Sequence, residues 1–249
     1  MNLTHSRLIL SFAVLLVIIC GGLKAVAHAH QQDAPSAVPV SISSTMPSGA
    51  VPLITGQPGQ IESVWYQRYT KNPAPWTVGA DGVASPAPAP KKCDITSKQE
   101  FGDCYVHVEF RQMLDSNGKS IGHGNSGVGL QGRYEVQIMD SYGHALEKHE
   151  CASLYSQKAP RVNACKKAGE WQAYDIIFRA PRFDDAGKVT EAARATVFQN
   201  GVLVQNNEAF EGPTGIQYGE YKTEAKTGPI ILQGDHDPVQ FRNVWVVPL

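Results

Sequence analysis

Arg133, Glu135 and Gln137 place a guanidinium, a carboxylate and a carboxamide at every second position, with Tyr134, Val136 and Ile138 between them. A period of two is that of a strand with one polar and one apolar face, so the three polar groups form a strip about 14 Å long. Such a strip offers donors and acceptors on a preset lattice, which suits hydroxyl-rich ligands. Just upstream, Asn125 stands among glycines at 122, 124, 127, 129 and 132, a backbone that lets a ligand approach closely. A second strip runs through His107, Glu109 and Arg111, alternating with Val106, Val108 and Phe110. His236, in the polar run Gly234-Asp235-His236-Asp237, is a candidate proton carrier, and Lys158 is a candidate at the rim of a site. Glu109, Asp140 and His236 are a candidate ligand set for a divalent metal ion. The competing reading of the alternating charges is a solvated face of cross-strand ion pairs.

The elements that must position these groups are strands. Period two continues through 104–111, 171–178 and 239–247, and Asn200-Gly201 between apolar runs marks a tight hairpin, because both residues tolerate positive φ. No stretch after the N-terminus keeps a long helical period. An all-β fold is expected, a two-sheet antiparallel β-sandwich of about a dozen strands in the jelly-roll manner. Its concave face would be lined by the polar sides of 104–111 and 133–140. Trp65, Trp76 and Trp245 are expected in the core rather than as sugar platforms, and Trp171, after Gly169-Glu170, is expected to be structural.

Residues 1–29 read as an export signal: Arg7, then the apolar run Leu8 to Ile19, then Ala25-Val26-Ala27 or Ala27-His28-Ala29 as a small-x-small cleavage site. The mature protein is expected to be periplasmic or secreted. No lipid anchor is expected, since Val17-Ile18-Ile19 puts no small residue before Cys20. Residues 30–58, rich in Pro, Ser, Ala and Val, read as a disordered linker, and 59–249 as one domain. Loss of Arg7 and Lys24 with the first 27 residues takes the formal charge from −1 to −3, which offers nucleic acid nothing to bind. Cys93, Cys104, Cys151 and Cys165 remain, and in an oxidising compartment an even count points to two disulfides. Of the three connectivities, Cys93 to Cys104 with Cys151 to Cys165 is the simplest.

The run GNSGVGLQGRYEVQIMDSYG, followed by GEWQAYDIIFRAPRFD, FQNGVLVQNN and GPIILQGDHDPVQFRNVWVVPL, closely resembles the DUF1080 family of 3-keto-disaccharide hydrolases. The resemblance runs from about residue 60 to the C-terminus. It implies a concanavalin A-like lectin/glucanase fold, a carbohydrate ligand and a functional link to a sugar 3-dehydrogenase. It also places the strip of Arg133, Glu135 and Gln137 and the loop of His236 at the pocket. The segment Ser85-Pro86-Ala87-Pro88-Ala89-Pro90 departs from the family, which has a short strand near there, and reads as extended surface chain.

The chemistry implied differs from ordinary glycoside hydrolysis. A ketone at C3 acidifies the C2 proton, so a base can remove it, an enolate forms and the glycosidic oxygen leaves from C1; water then adds to the enone. Such a site needs a base, an acid and a positive group at the enolate oxygen. Glu135 and His236 are base and acid in either order, Arg133 or a divalent metal holds the enolate, and Asn125 and Gln137 fix hydroxyls. The alternative is a non-catalytic, lectin-like carbohydrate-binding module on the same fold.

Overall fold

The computed structural model describes residues 39, 41–87, 93–216 and 219–249; the expected export signal and the start of the expected linker lie outside them. In chain order the strands are β1 (Val51–Ile54), β2 (Trp65–Gln67), β3 (Trp76–Val78), β4 (Ala84–Pro86), β5 (Ile95–Phe101), β6 (Cys104–Gln112), β7 (Ser126–Leu130) and β8 (Tyr134–Ile138). There follow β9 (Gln172–Arg179), β10 (Arg182–Phe183), β11 (Val189–Glu191), β12 (Arg194–Gln199), β13 (Val202–Ala209), β14 (Gly228–Leu232) and β15 (Val239–Pro248), and one five-residue helix, α1 (Gln60–Val64), precedes β2. The larger sheet runs β13-β12-β9-β6-β15-β4-β3, with β1 also on β15, and the smaller runs β2-β5-β14-β7-β8. Every strand pairing is antiparallel. The two-sheet sandwich expected from the periodicity is the fold.

Alternation decides which side chains meet in the middle. Val106, Val108 and Phe110 of β6, Tyr174, Ile176 and Phe178 of β9, and Tyr134, Val136 and Ile138 of β8 are fully or almost fully buried in one apolar cluster. Phe110 packs on Tyr174 at 4.8 Å and Tyr134 on Phe178 at 5.6 Å between ring centroids. The Tyr174 hydroxyl crosses the core, donating to the Gln137 carbonyl at 2.5 Å and accepting from the Ala152 N–H at 2.8 Å. Because these residues point inward, their neighbours point out on opposite sides of the molecule: Glu135 and Gln137 on the smaller sheet, His107 and Glu109 on the larger.

Three expectations are corrected here. The domain begins before residue 59: β1 pairs with the C-terminal strand β15, and Leu53 and Ile54 have no exposed surface. Four apolar residues are too few to show a period, and their partner lies almost 200 residues away. The proline-rich segment keeps a short strand, since Ala84 pairs with Phe241 and Pro86 with Trp76 at the end of the ladder; residues 88–92 lie outside the described part. Cys93 and Cys104 stand at opposite ends of β5, about 20 Å apart by strand rise and far beyond the roughly 7 Å a disulfide spans. Trp171 is partly buried on the outer face, with Arg242 and Arg111 over its ring at 4.1 and 4.7 Å. The Asn200-Gly201 hairpin is as read, with φ of 53° and 80°.

Tyr174→Phe removes a donor and an acceptor from a fully buried position. It should lower unfolding stability by about 1–3 kcal/mol, read from urea denaturation, and an unchanged midpoint would mean that the cross-core bond contributes nothing.

Candidate functional site

β8 is the last strand of the smaller sheet, and its open edge is closed by two neighbouring segments. The Gln137 N–H donates to Ser153, while Ala152 and Tyr155 donate to the carbonyls of Gln137 and Glu135. Thr214 covers the stretch between, accepting from the Glu135 N–H at its hydroxyl and donating its own N–H to the Arg133 carbonyl. Glu135 thereby becomes a buried carboxyl on the outer face of a sheet, 3% exposed. Room for it comes from β7, where Gly127 lies opposite Gln137 and Gly129 opposite Glu135. A Cβ at Gly127 would stand 2.3 Å from the Glu135 Oε1 atom, and one at Gly129 would meet Ile216 and Ile231. These two glycines are required by the side chains that lie over them. The Gln137 amide nitrogen, oriented so that both its polar atoms are satisfied, donates to Glu135 Oε1 at 3.0 Å, and Gln137 in turn meets Asn125 at 3.2 Å.

Across the same face, Arg68 follows β2 and Asp94 precedes β5, and they form a buried ion pair of 2.9 Å. Tyr69 bridges Asp94 and Asp235 through its hydroxyl, 3.1 Å from one carboxylate and 2.8 Å from the other. The N–H groups of Gly234 and Asp235 donate to Asp94 Oδ1. Burial first, and then the charge and hydrogen bond of Asp235, raise the Asp94 carboxyl above its usual range. Burial, then the charge of Asp94 and to a lesser degree of Asp235, push Glu135 up to about 8 against the opposing pull of Arg68 and Gln233. Four buried atoms in this region, Arg68 Nε, Thr96 Oγ1, Gln233 Oε1 and Asp235 Oδ1, have no hydrogen-bond partner. Buried polar atoms without partners cost about 1–3 kcal/mol each, so this face carries a polar demand that its own side chains do not meet.

His236 stands at the rim, half-exposed, its Nε2 3.6 Å from Asp235 Oδ1. Asp237 fixes the glycine-rich turn opposite by accepting from the His123 and Asn125 N–H groups at 2.8 and 2.9 Å. The structure thus brings Glu135, Gln137, Asn125 and the His236 loop together on one face. Gln233, at the head of the His236 loop, joins them, and so do Arg68, Tyr69 and Asp94, which the sequence did not single out. Arg68 follows a strand of only three residues and Asp94 borders the proline-rich segment, so neither shows a period; the acidic residue beside a cysteine was the sole signal.

Other expected members lie elsewhere. Arg133 spends its guanidinium on the carbonyls of Gln131, Thr223 and Thr227 and on the ring of Tyr221 at 5.2 Å. It fastens the segment 221–227 to the sheet. His107 and Glu109 face out from the larger sheet, across the core from Glu135. There His107 stacks on Trp245 and bonds Asp175 at 2.7 Å, and Glu109 bonds Arg242 at 2.6 Å and Asn243 at 2.8 Å. Burial would lower His107, but Asp175 and Glu109 outweigh it and raise it to about 9; burial would raise Glu109, but His107, Asn243 and Arg242 hold it at about 2. A cavity of about 350 Å³ adjoins this cluster, but its charges are already paired with one another, whereas the Glu135 face holds the unpartnered atoms. Lys158 is exposed and pairs with Glu208 at 3.3 Å. Asp140 accepts from Ser120 at 2.7 Å. With Glu109 across the core, the proposed metal ligands Glu109, Asp140 and His236 do not converge. Among the described residues no three His, Cys, Asp or Glu side chains are disposed to hold a metal ion.

Residues 52–247 match the sequence model of a family described as a 3-keto-α-glucoside-1,2-lyase-like domain. The fold is also that of three crystal structures of presumed glycosyl hydrolases from Parabacteroides distasonis ATCC 8503. One is 34% identical, with a TM-score of 0.69 over 94% of this chain and 100% of its own. A second is 18% identical, with a TM-score of 0.55 over 81% of this chain and 94% of its own, and shows the shared fold alone. No curated protein matches the chain.

The raised Glu135 value has a fixed sign for stability. Folding favours the protonated carboxyl, so the contribution is complete below the ordinary value of 4.5 and is lost as pH rises through about 8. Urea midpoints at pH 5 and pH 9 should therefore show a loss in the wild type that is smaller in Glu135→Gln, the difference amounting to about 3 kcal/mol. Parallel pH curves for the two proteins would show that the carboxyl is not held protonated.

Proposed function

The chain belongs to the 3-keto-α-glucoside-1,2-lyase-like family, and from that premise we propose that it cleaves glycosides whose sugar carries a ketone at C3. The observation that carries the proposal is the buried Glu135 carboxyl, titrating at about 8 on a face with four unpartnered polar atoms. A carboxyl whose pKa lies near neutrality can both take and return a proton at working pH. Glu135 removes the C2 proton; the pair of electrons moves into the C2–C3 bond and onto the ketone oxygen. As the enolate collapses, the C1–O bond breaks, and the leaving oxygen takes its proton from the rim, where His236 and Asp235 stand. Water then adds across the enone. Arg68, rather than Arg133, is the cation of this face, with Nε uncommitted to any other group, and it offers the developing enolate oxygen a charge in a water-poor setting. Asn125 and Gln137 hold ring hydroxyls. No step passes through a metal.

The proposal includes export through the signal at residues 1–29, and a carbohydrate substrate supplied by a C3 oxidation, the reaction of a sugar 3-dehydrogenase.

Wild type, Glu135→Gln and His236→Ala should be assayed on a 3-keto-disaccharide and on its unoxidised parent, with and without chelator. The wild type should cleave the keto sugar alone and equally well after chelation, with kcat/KM rising through about pH 8. Glu135→Gln should lower kcat by about 10²- to 10⁴-fold. Equal cleavage of the parent sugar, or undiminished turnover in both variants, would overturn the mechanism; saturable binding with no turnover would make the protein a lectin-like module; and loss of activity on chelation would put a metal where Arg68 is placed here.

A further inference from the structure

We propose that Cys151 and Cys165 form the one disulfide of the mature domain, and that it fastens the chain segment completing the edge of β8. The two thiols converge on a single amide: Gln199 Nε2 lies 3.5 Å from Cys151 Sγ and 3.3 Å from Cys165 Sγ. They also share a hydrogen bond with each other. Gln199 is itself immobilised by Gln172 Oε1 at 3.1 Å, so the pair is held at the start of β9.

The remaining cysteines are placed to stay thiols. Cys93 bonds the Gly234 carbonyl, and burial, then the charges of Asp94 and Asp235, push it up to about 11. Cys104 is buried at the start of β6, and burial, then Asp103, raises it to about 12. The two cannot pair with each other, because β5 runs between them. Within the pair the proton is divided unequally. Its bond to Cys151, and then burial, raise Cys165, while Cys151 is lowered despite its burial by the bonds from Cys165 and Tyr174.

In balanced form, one thiolate of the pair attacks the S–S bond of a disulfide oxidant and displaces one thiol. The other then attacks the mixed disulfide, forms the intramolecular S–S bond and displaces the second thiol. Two protons and two electrons pass from the protein to the oxidant, which an oxidising compartment supplies as glutathione disulfide or an oxidised dithiol protein. The inference rests on the export reading for its setting in the cell, but not for its chemistry.

The crosslink bears on the Glu135 site through the backbone. Residues 152, 153 and 155, next to Cys151, make the hydrogen bonds that close the β8 edge at Gln137 and Glu135. Asn163, two residues before Cys165, ties the far side of the same loop to the carbonyls of Ser141 and His144 at 2.6 and 3.0 Å. Closing the 151–165 loop joins the edge cover to β9 covalently.

The test uses the reduced, purified mature protein, incubated with glutathione disulfide, then denatured, alkylated and mapped by mass spectrometry. A peptide linking Cys151 to Cys165, with Cys93 and Cys104 alkylated, is the expected result. Full alkylation of Cys151 and Cys165, or a link from either to Cys93 or Cys104, overturns the proposal. Dithiothreitol should lower the thermal midpoint of the oxidised wild type by about 6–12 °C and leave the Cys151→Ala/Cys165→Ala double variant unmoved. An equal shift in both proteins also overturns it. If the double variant does not fold, the peptide map decides alone. Neither readout depends on turnover, so failure of the catalytic proposal and failure of this one are separable.

Discussion

The structure turns on keeping one carboxyl dry on the outside of a sheet. Outer faces are normally wet, and Glu135 avoids this only because several features coincide. β7 lacks side chains at Gly127 and Gly129, Ile216 closes over the gap, and the segments around Ala152 and Thr214 satisfy the backbone of the strand that carries the carboxyl. Each feature serves the others. Without the glycines the carboxyl could not lie flat; without the edge cover, water would reach the backbone and then the side chain, and the raised proton affinity would fall back toward that of an exposed glutamate.

The two outer faces use similar residues to opposite ends. On the larger sheet, His107, Glu109, Asp175, Arg242 and Asn243 form a closed network in which every charge has an opposite or a hydrogen bond, and Trp245 supports the imidazole from beneath. Such a network holds its members ionised and leaves nothing over for a ligand. On the smaller sheet, the buried carboxyls of Asp94 and Glu135 lie near the guanidinium of Arg68. Burial and their mutual repulsion outweigh that one cation and raise both, and retained protons are what acid-base chemistry transfers.

This difference bears on the kind of glycoside chemistry the site suits. Cleavage through an oxocarbenium-like transition state needs two carboxyls flanking the bond, one of them ionised as nucleophile or base. Elimination from a 3-keto sugar asks less: a base of moderate strength beside C2 and a proton source for the leaving oxygen, because the ketone itself carries the charge. A face whose carboxyls are pushed toward neutrality fits the second demand better than the first. The reading keeps the family's chemistry and reassigns its cation from Arg133 to Arg68.

The sequence by itself determined the strands, because a period of two follows from the pleat and is written in adjacent residues. It therefore determined the sandwich, the hairpin at Asn200-Gly201 and the outward direction of Glu135 and Gln137. It also singled out the strand that carries the site. Which outward faces belong to one site was decided only by tertiary structure. Period tells that His107 and Glu135 both point away from a core, but not that the core lies between them, since that depends on the sheet to which each strand is hydrogen-bonded. In the same way Arg133 looked like the site's cation until its guanidinium met the carbonyls of 223 and 227. Arg68 and Asp94 came together only because β2 and β5 are neighbours. The cysteines repeat the lesson: equal closeness in the chain gave two equal pairs, and a seven-residue strand running between Cys93 and Cys104 left one. Local order follows from the covalent spacing of residues, whereas a site is a set of distances across strands, and those exist only once the sheets have formed.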